Sequence, residues 1–207
     1  MKRKAQTKRA PKRKLCRARG CAERFVPSRP MQAVCSPGCA MRYGRQRDEA
    51  KALAAKRERK RAGREKLEWL KTPSEVMKEA QREFNRWVRE RDHGRPCISC
   101  GAKSLHEPLT GGAWDCGHYR STGAAPELRF TEINAHRQCK RCNRDLSGNV
   151  VAYRRGLIER IGEERVAWIE GDHQPARWRK ADFQKIRDHY RKEANRLACE
   201  RRKGEGQ

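Results

Sequence analysis

Closely spaced cysteines are the residues of this sequence with the most distinctive chemistry. Eight of the ten cysteines form four pairs: Cys16 with Cys21, Cys35 with Cys39, Cys97 with Cys100, and Cys139 with Cys142. A CxxC turn presents two sulfurs to one ion, and four thiolates complete the tetrahedral shell that Zn²⁺ prefers. The last two pairs therefore predict one structural zinc site, and the first two, with less regular spacing, predict a second. Four thiolates leave no open coordination position, so we expect neither zinc to be catalytic.

Polar residues that can act on a phosphate lie between and beside the last two cysteine pairs. His118 stands near the end of a predicted strand, and Asn134 lies in the loop that follows it. Asn143 comes directly after Cys142. This order of a strand histidine, a loop asparagine and an asparagine after a zinc knuckle resembles the HNH endonucleases, which use the ββα-metal fold. The resemblance implies that His118 is the general base that activates water, that Asn134 orients it, and that Asn143 holds a divalent cation on the scissile phosphate.

The chemistry of phosphodiester hydrolysis fits these residue types. A neutral imidazole with an unperturbed pKa of about 6.5 can take a proton from water near neutral pH. A bound Mg²⁺ or Mn²⁺ can stabilise negative charge on the phosphate, and the side-chain oxygen of Asn143 is a ligand that such hard cations accept. We therefore expect a catalytic Mg²⁺ or Mn²⁺ in addition to the zinc, with the adjacent knuckle holding the ligand in place.

One departure from the HNH pattern concerns the acidic metal ligand. Many HNH nucleases carry a carboxylate directly before the base, whereas Gly117 occupies that position here. Asp115 is the nearest carboxylate, but a regular strand points it away from the base, so it joins the site only if Gly117 bends or bulges the strand. Asp145, just inside the following helix, is the alternative ligand, and His136 is a third candidate, either as a ligand or as a phosphate contact.

A closer resemblance covers almost the whole chain. The segments DCGHYRS at 115–121, LRF at 128–130, QCKRCN at 138–143 and SGN at 147–149, together with Asn134, are similar to the NinG family of lambdoid phages, also called Rap. An N-terminal cysteine quartet followed by a basic helix is similar to that family's layout. The resemblance implies a structure-specific DNA endonuclease that cuts branched intermediates of phage recombination, such as Holliday junctions and D-loops.

The charge of the chain indicates a nucleic-acid partner. Fifty-two Lys and Arg against 26 Asp and Glu give a net charge of +26 in 207 residues. Such an excess repels itself in a compact state that has no polyanion beside it. The predicted DNA contacts are Lys12, Arg13, Lys14, Arg120, Lys140 and Arg141. The sequence has no apolar run that could span a membrane and no signal peptide, so we expect a protein of the host-cell cytoplasm, where thiols stay reduced.

The low apolar content limits the size of the core. Apolar residues make up 35% of the chain, so bound metal has to supply part of the folding free energy. We expect a small zinc-stabilised α+β protein, with a ββα-metal (HNH-like) nuclease core, flanking helices and an N-terminal zinc-binding module. The predicted segments are a disordered basic arm (1–14), a zinc-knuckle module (15–43), a basic helical linker (44–71), an HNH-like nuclease domain with flanking helices (72–199) and a tail (200–207).

Local signals place helices and strands within the nuclease domain. Thr72, Pro73 and Glu75 form a capping box with proline at the first helical position, which predicts the start of a helix. Apolar residues at three- and four-residue intervals from Val76 to Val88 give this helix one packing stripe. The other predicted elements are strands around residues 114–119 and 127–130, a helix over 150–169 interrupted at Gly162, and a last helix from about Asp182.

Three functions are compatible with these patterns. An HNH-type endonuclease of branched DNA explains the charge, the cysteines and the residues His118, Asn134 and Asn143 together, and the two incisions that a four-way junction requires favour a homodimer. A non-catalytic zinc protein that binds DNA or RNA explains the charge and the cysteines alone. An HNH enzyme that cuts duplex DNA at a fixed sequence uses the same residues on another substrate. The sequence leaves open whether Cys116 or Cys199 replaces a quartet member.

Overall fold

The structure is a computed structural model that describes residues 12–103 and 113–204. The chain divides into two compact units, Met1–Leu70 and Lys71–Gln207. The elements are β1 (Lys14–Leu15), β2 (Arg24–Phe25), α1 (Pro37–Leu70), α2 (Pro73–Arg91), β3 (Trp114–His118), β4 (Ala135–Cys139), α3 (Val150–Ile161), α4 (Glu163–Glu170) and α5 (Lys180–Gly204). Residues 1–11 of the predicted arm and 205–207 of the predicted tail lie outside the described residues. No helix within the described ranges is long and apolar enough to cross a membrane.

The first unit is a small cysteine-rich module that continues into one long helix. β1 and β2 pair antiparallel over two residues each, with Lys14 opposite Phe25. α1 begins at Pro37, inside the predicted zinc-knuckle module, because the Ser36 hydroxyl accepts a hydrogen bond from the Cys39 amide (3.2 Å) and proline suits the first helical position. In α1, which lies wholly within the described residues, Cys39 alone is buried. The helix therefore has no apolar packing stripe beyond the module.

α2 and α5 pack against each other and form the larger core of the second unit. The predicted capping box is confirmed, because the Thr72 hydroxyl accepts from the Glu75 amide (3.3 Å) and the Glu75 carboxylate accepts from the Thr72 amide (2.7 Å). The buried side chains of this core are Val76, Ala80, Phe84, Trp87 and Val88 from α2 and Phe183, Tyr190 and Ala194 from α5. Cys116 of β3 and Ala135 of β4 join the same cluster.

β3 and β4 form an antiparallel hairpin whose register runs without a break. The paired residues are Trp114 with Cys139, Asp115 with Gln138, Cys116 with Arg137, Gly117 with His136, and His118 with Ala135. Side chains alternate along a strand. One face therefore carries Cys116 and His118 and packs against α2. The other carries Asp115 and Gly117 and lies toward α3.

The second strand of the hairpin is not the one that the sequence pattern favours. The strand predicted around residues 127–130 is wrong, because this stretch lies in and after a 3₁₀ turn that has Pro126 in its first position. Leu128 and Phe130 supply an apolar signal because they are buried, although they pair with no strand. The strand that pairs with β3 is Ala135–Cys139, whose middle three residues are polar and yet buried.

A buried carboxylate after α2 explains how a polar strand can be buried. Asp92 has no exposed surface and accepts two hydrogen bonds of 2.9 Å from the Arg91 guanidinium. It also accepts the Arg137 amide of β4 at 3.0 Å and lies 3.7 Å from the Arg160 guanidinium of α3. Burial raises the pKa of Asp92, but the Arg91 guanidinium and the Arg137 amide together outweigh that effect, and the net pKa is lowered. The charged carboxylate thus joins α2, β4 and α3.

The last three helices follow most of the local signals. α3 and α4 are separated at Gly162, whose φ of 86° favours glycine, so the predicted interruption is confirmed. α5 begins two residues before Asp182, because the Asp182 carboxylate caps the helix from inside its first turn by accepting the Arg179 amide (2.9 Å). The helix runs to Gly204, so the first five residues of the predicted tail are helical. α3 and α4 share a second core, which includes Tyr153, Leu157, Val166 and Ile169.

Candidate zinc centres and the hairpin site

The second cysteine quartet has the geometry of a tetrahedral metal site. Its four sulfurs all lie within 4.8 Å of one another and belong to Cys97, Cys100, Cys139 and Cys142. The sulfurs of Cys100 and Cys139 are 3.8 Å apart, and Zn–S bonds of about 2.3 Å at the tetrahedral angle give S–S edges of about 3.8 Å. The amides of Cys139 and Cys142 each point at a quartet sulfur at 3.4 Å, which stabilises thiolates. This quartet can hold zinc, as predicted.

The first quartet meets the same test. Its sulfurs also lie within 4.8 Å of one another and belong to Cys16, Cys21, Cys35 and Cys39. The Cys35 sulfur is 3.7 Å from that of Cys21 and 3.6 Å from that of Cys39. Hydrogen bonds from Ser36 and then Arg42 lower the pKa of Cys39 to about 6, whereas burial and the neighbouring thiols raise the pKa of Cys35 to about 12. Crowded thiolates repel one another, and a divalent cation at their centre removes that repulsion.

The two remaining cysteines stand outside both quartets. Cys116 is buried in β3 against the core of α2 and α5, and burial raises its pKa to about 12. Cys199 is exposed on α5. In the part of the chain that the structure describes, neither belongs to a four-sulfur group, so both quartets are complete without them.

His118 ends β3 with its ring partly buried. Its Nε2 lies 3.1 Å from the carbonyl oxygen of Arg129, and its ring centre lies 5.9 Å from that of Phe84. A carbonyl can only accept, so Nε2 carries the proton of the neutral ring and Nδ1 carries the lone pair. Burial lowers the pKa of His118 below its ordinary 6.5. The ring is therefore neutral at pH 7, which is the state that a general base requires.

Asn134 is fully buried beside the end of β3, where it braces the backbone. Its Oδ1 accepts the Arg120 amide (2.8 Å), and its Nδ2 donates to the carbonyls of Arg120 (3.0 Å) and Leu128 (3.3 Å). The Tyr119 amide donates to the Asn134 carbonyl at 2.8 Å. These bonds fix the chain directly after His118, so Asn134 acts on the orientation of the imidazole through the backbone.

Asp115 and Asn143 lie side by side next to the second quartet. Asn143 donates from Nδ2 to the Asp115 carboxylate (3.1 Å), and the Arg144 guanidinium binds both carboxylate oxygens at 2.7 and 2.9 Å. Burial raises the pKa of Asp115, but the bonds from Arg144 and Asn143 outweigh it and the pKa is lowered. The two side chains offer oxygen ligands to a hard cation. The strand has no bulge at Gly117, so Asp115 faces away from His118.

The space beside Gly117 explains why no carboxylate stands directly before the base. A Cβ atom at this position would lie 2.1 Å from Oε1 of Gln138. The Gln138 side chain is fully buried, and its Nε2 is held by the Ser99 hydroxyl (2.7 Å) and the Gly148 carbonyl (2.6 Å). It therefore fills the volume that an acidic residue before His118 would need.

The two other candidate ligands lie in contrasting environments. Asp145 is exposed at the end of the π-helical turn Arg141–Asp145, where solvent and ions reach it. His136 is buried, and its Nδ1 lies 3.3 Å from the Tyr153 hydroxyl. Burial lowers the pKa of His136 to about 3, so the ring is neutral. Enclosed in this way, His136 packs the hairpin against α3 and has no surface to offer a phosphate.

The predicted DNA contacts differ in their exposure and in the hydrogen bonds that they already make within the chain. The exposed ones are Lys12, Arg13, Lys14 and Arg141, and the partly buried ones are Arg120 and Lys140. The Lys14 ammonium lies 3.3 Å from the Pro30 carbonyl. The Arg120 guanidinium reaches the carbonyls of Glu170 (3.3 Å) and Ile169 (3.4 Å) at the end of α4. Arg120 therefore braces that helix end and is less available to a phosphate than the exposed residues.

Sequence reasoning missed three partners of these side chains. Arg129 fixes the His118 ring through its backbone carbonyl. Every residue has such a carbonyl, so the residue type at position 129 does not reveal the contact. Gln138 fills the space beside Gly117, which only the strand register reveals. Arg144 binds Asp115. It directly follows Asn143 in the sequence, and this position beside a predicted cation ligand is the one feature that could have pointed to it.

Comparison with known proteins places this arrangement in a family. A family model described as "Bacteriophage Lambda NinG protein" matches residues 8–200. The chain is 40% identical to Protein ninG of Escherichia phage lambda over 198 residues, or 90% of this chain and 94% of that protein. It is 40% identical to Protein ninG of Salmonella phage P22 over 196 residues (89% and 94%), and 51% identical to that of Enterobacteria phage H19B over 109 residues (53% and 51%). No solved structure is significantly similar. Because the family match spans both quartets and the hairpin, the chain belongs to the NinG family of lambdoid phage proteins.

Proposed function

We propose that the protein is a metal-dependent endonuclease that hydrolyses phosphodiester bonds in branched DNA. The observation that carries the proposal is the state of His118 at the end of β3. The Arg129 carbonyl fixes its tautomer, and burial keeps the ring neutral. Its Nδ1 has no hydrogen-bond partner among the described residues, and the ring is partly exposed. A base that is oriented, uncharged and open to solvent suits the activation of water.

The chemistry assigned to His118 is a single proton transfer. As a water oxygen attacks the phosphorus, Nδ1 accepts the proton and the ring becomes imidazolium. The bond from phosphorus to one ester oxygen breaks, and that oxygen takes a proton from solvent. The ring then returns its proton to solvent. Asn134 keeps the following backbone in place throughout, so that the ring stays aimed.

Asp115 and Asn143 are the residues that would hold Mg²⁺ or Mn²⁺, whose chemistry is to neutralise charge on the phosphate. Their donor set fits a hard cation, which would take the place that the Arg144 guanidinium holds on both oxygens of Asp115. They lie on the face of the hairpin opposite His118, so the proton transfer described above is assigned to His118 alone. Asp145, exposed on the same turn as Asn143, is the alternative carboxylate.

The proposal of a branched substrate rests on charge and on the family resemblance. A four-way junction brings several phosphate backbones to one protein surface, which suits a chain with a net charge of +26. Two incisions are needed to resolve such a junction, so we propose that two copies of the chain act together. The sequence layout that resembles the Rap endonucleases supports the same substrate class.

A second candidate function is DNA binding without cleavage, and one observation favours it. The imidazole of His118 and the oxygen ligands Asp115 and Asn143 lie on opposite faces of an unbroken hairpin. In this alternative, His118 is a packing residue against Phe84, and the zinc centres only shape a basic surface. A sequence-specific duplex endonuclease is the third candidate and shares the His118 chemistry.

Cleavage of a labelled four-way junction and its matching linear duplex tests these candidates. Each substrate is incubated with Mg²⁺, Mn²⁺ or EDTA and with wild type, His118→Ala or His93→Ala, where His93 is an exposed histidine that serves as the control. We expect metal-dependent incision of the junction that His118→Ala abolishes and His93→Ala retains. Both variants should bind the junction with nearly the affinity of wild type. Tight binding without incision under any metal would support the non-catalytic alternative. Cutting of the linear duplex at one fixed sequence would support the third candidate.

A further inference from the structure

α1 is a long helix that carries much of the positive charge of the first unit without burying it. It spans Pro37–Leu70, and in this fully described element Cys39 alone is buried. Eleven of its residues are Lys or Arg and five are Asp or Glu. A solitary helix of this kind gains little from packing within its own unit. Its exposed surface is therefore available to a partner.

Four of the eleven basic residues of α1 lie close together on one face. Four exposed side chains, those of Lys56, Arg57, Lys60 and Arg64, fall within roughly 100° of arc at 3.6 residues per turn. We call these four residues the basic face. Among the described residues none of the four has an ion-pair partner. They extend over about 12 Å of the helix, at 1.5 Å per residue.

Two of the three acidic residues in the last four turns of α1 lie on another side of the helix. Glu58 and Glu65 are placed more than roughly 100° from the centre of the basic face. Both are bound to Arg61, at 2.8 Å and 3.6 Å respectively. The third, Glu68, lies four residues after Arg64 and about 40° from it around the helix, at the C-terminal end of the basic face. Glu58 and Glu65 thus neutralise Arg61, and the local acids leave Lys56, Arg57 and Lys60 unopposed.

The spacing of the basic face opposes pairing with a second copy of α1. Leu53 and Leu67 are both exposed and lie fourteen residues apart, as two positions of a coiled-coil seam would. The seam positions between them, at alternating four- and three-residue steps, are occupied by Arg57, Lys60 and Arg64. Two such seams brought together would set positive charge against positive charge, which opposes association.

We propose that the basic face of α1 binds the phosphate backbone of duplex DNA independently of its sequence. Charge complementarity supports this occupant, because the basic face carries four unpaired cations and duplex DNA carries one negative charge per about 1.7 Å of its axis. An α-helix about 10–12 Å across also fits a major groove about 12 Å wide. This inference takes the DNA partner from the proposed function, but it requires no cleavage.

Binding of a linear duplex in EDTA, followed by fluorescence anisotropy over a range of salt, tests the basic face. The test variant is Lys60→Gln with Arg64→Gln, at the centre of the face. The control is Arg59→Gln with Lys66→Gln, which removes the same two charges more than roughly 100° around the same exposed helix. Glutamine is a good helix former, and circular dichroism checks that both variants keep wild-type helicity.

We expect the test variant to bind on the order of tenfold or more weakly at ~0.1 M salt, with the slope of log K against log salt smaller by about 1.8. The affinity of the control variant should stay within about threefold of wild type, because its two positions point away from the basic face. Equal losses in the two variants, or no loss in either, would overturn the assignment to this face. A change in oligomeric state confined to the test variant, measured by analytical ultracentrifugation, would show a second copy as the occupant and would also overturn it. Failure of wild type to cut junctions would end the proposed function while leaving this inference intact.

Discussion

The two cysteine quartets have the same ligands but very different surroundings. The first quartet is the core of its module, since Cys16, Ala18 and Cys39 are its buried apolar residues and only a few partly buried side chains pack around them. The second quartet closes the end of a hairpin that already packs against two apolar clusters. Zinc is therefore expected to fold the first module outright. In the second unit it is expected to fix one end of a structure that apolar packing holds.

The largest effect that distinguishes the two quartets is expected from removing one ligand of each. Structural zinc contributes about 10–16 kcal/mol in small domains, and the first module has no comparable apolar burial. Cys39→Ser should therefore leave residues 12–43 without fixed tertiary structure. Cys139→Ser should disorder only the knuckle end of the hairpin, around residues 97–100 and 139–143, while α2, α5 and the rest of the hairpin stay packed. Hydrogen exchange read by mass spectrometry, with zinc counted per chain, measures both outcomes.

Cys199→Ser is the control for these variants, because Cys199 is exposed and outside both quartets. It should retain both zinc ions and the wild-type exchange pattern. Protected amides in the first module of Cys39→Ser would show that apolar packing, and not zinc, holds that module. Full zinc content in Cys139→Ser would show that the second quartet is not a structural site.

A smaller effect on stability is expected from truncating one side chain in the apolar core of the second unit. Phe84 is fully buried between α2, α5 and the hairpin, with ring centres 4.9 Å away at Tyr190 and 5.7 Å away at Phe130. Phe84→Ala should lower the free energy of unfolding by about 3–5 kcal/mol. Leu53→Ala is the matched change on α1, where the side chain is 50% exposed, and should stay within about 0.5 kcal/mol. Urea unfolding compares them, and similar losses would contradict the contrast between the units.

The smallest effect concerns pH and the buried His136. Its pKa is about 3 in the folded chain and about 6.5 in the unfolded chain, so between these values only the unfolded chain binds the proton. The free energy of unfolding therefore falls as pH drops below 6.5, by up to about 1.4 kcal/mol per pH unit, until pH reaches about 3. His136→Gln should remove about 1 kcal/mol of the stability difference between pH ~7 and pH ~5.5.

Chemical unfolding at the two pH values, with zinc in excess, measures this contribution. His93→Gln provides the control, since His93 is exposed and its replacement should leave the pH dependence unchanged. If His136→Gln and wild type lose the same stability on acidification, the buried ring is not the source of the acid sensitivity.

Local patterns predicted the parts of the structure that local chemistry decides. The spacing of eight cysteines predicted both four-sulfur groups, and the Thr72 capping box and the break at Gly162 were visible as short motifs. The identity of the hairpin partner was not visible. β4 reads AHRQC, and groups outside the strand bind its buried polar residues. Asp92 binds Arg137, the Tyr153 hydroxyl lies beside His136, and Ser99 and Gly148 bind Gln138.

The same limit applies to the candidate site. His118, Asn134 and Asn143 were recognisable as residue types in a familiar order, and Asp115 as the nearest carboxylate. The carbonyl that holds the imidazole and the pairing of Asp115 with Arg144 depend on strand register and loop geometry, which residue types do not encode. The roles of these residues in catalysis remain predictions that the cleavage experiment addresses.

The contacts of Arg91 and Asp92 with β4 affect how chains can associate. A two-stranded sheet offers open edges on which another strand can add, which is a common route to aggregation. The outer edge of β4 offers no such template, because its outward groups are already bound. The Ala135 carbonyl accepts from Arg91, and the Arg137 amide and carbonyl bind Asp92 and the Ile98 amide. These contacts therefore keep a third strand from adding on the β4 side of the hairpin, which blocks edge-to-edge assembly through that strand.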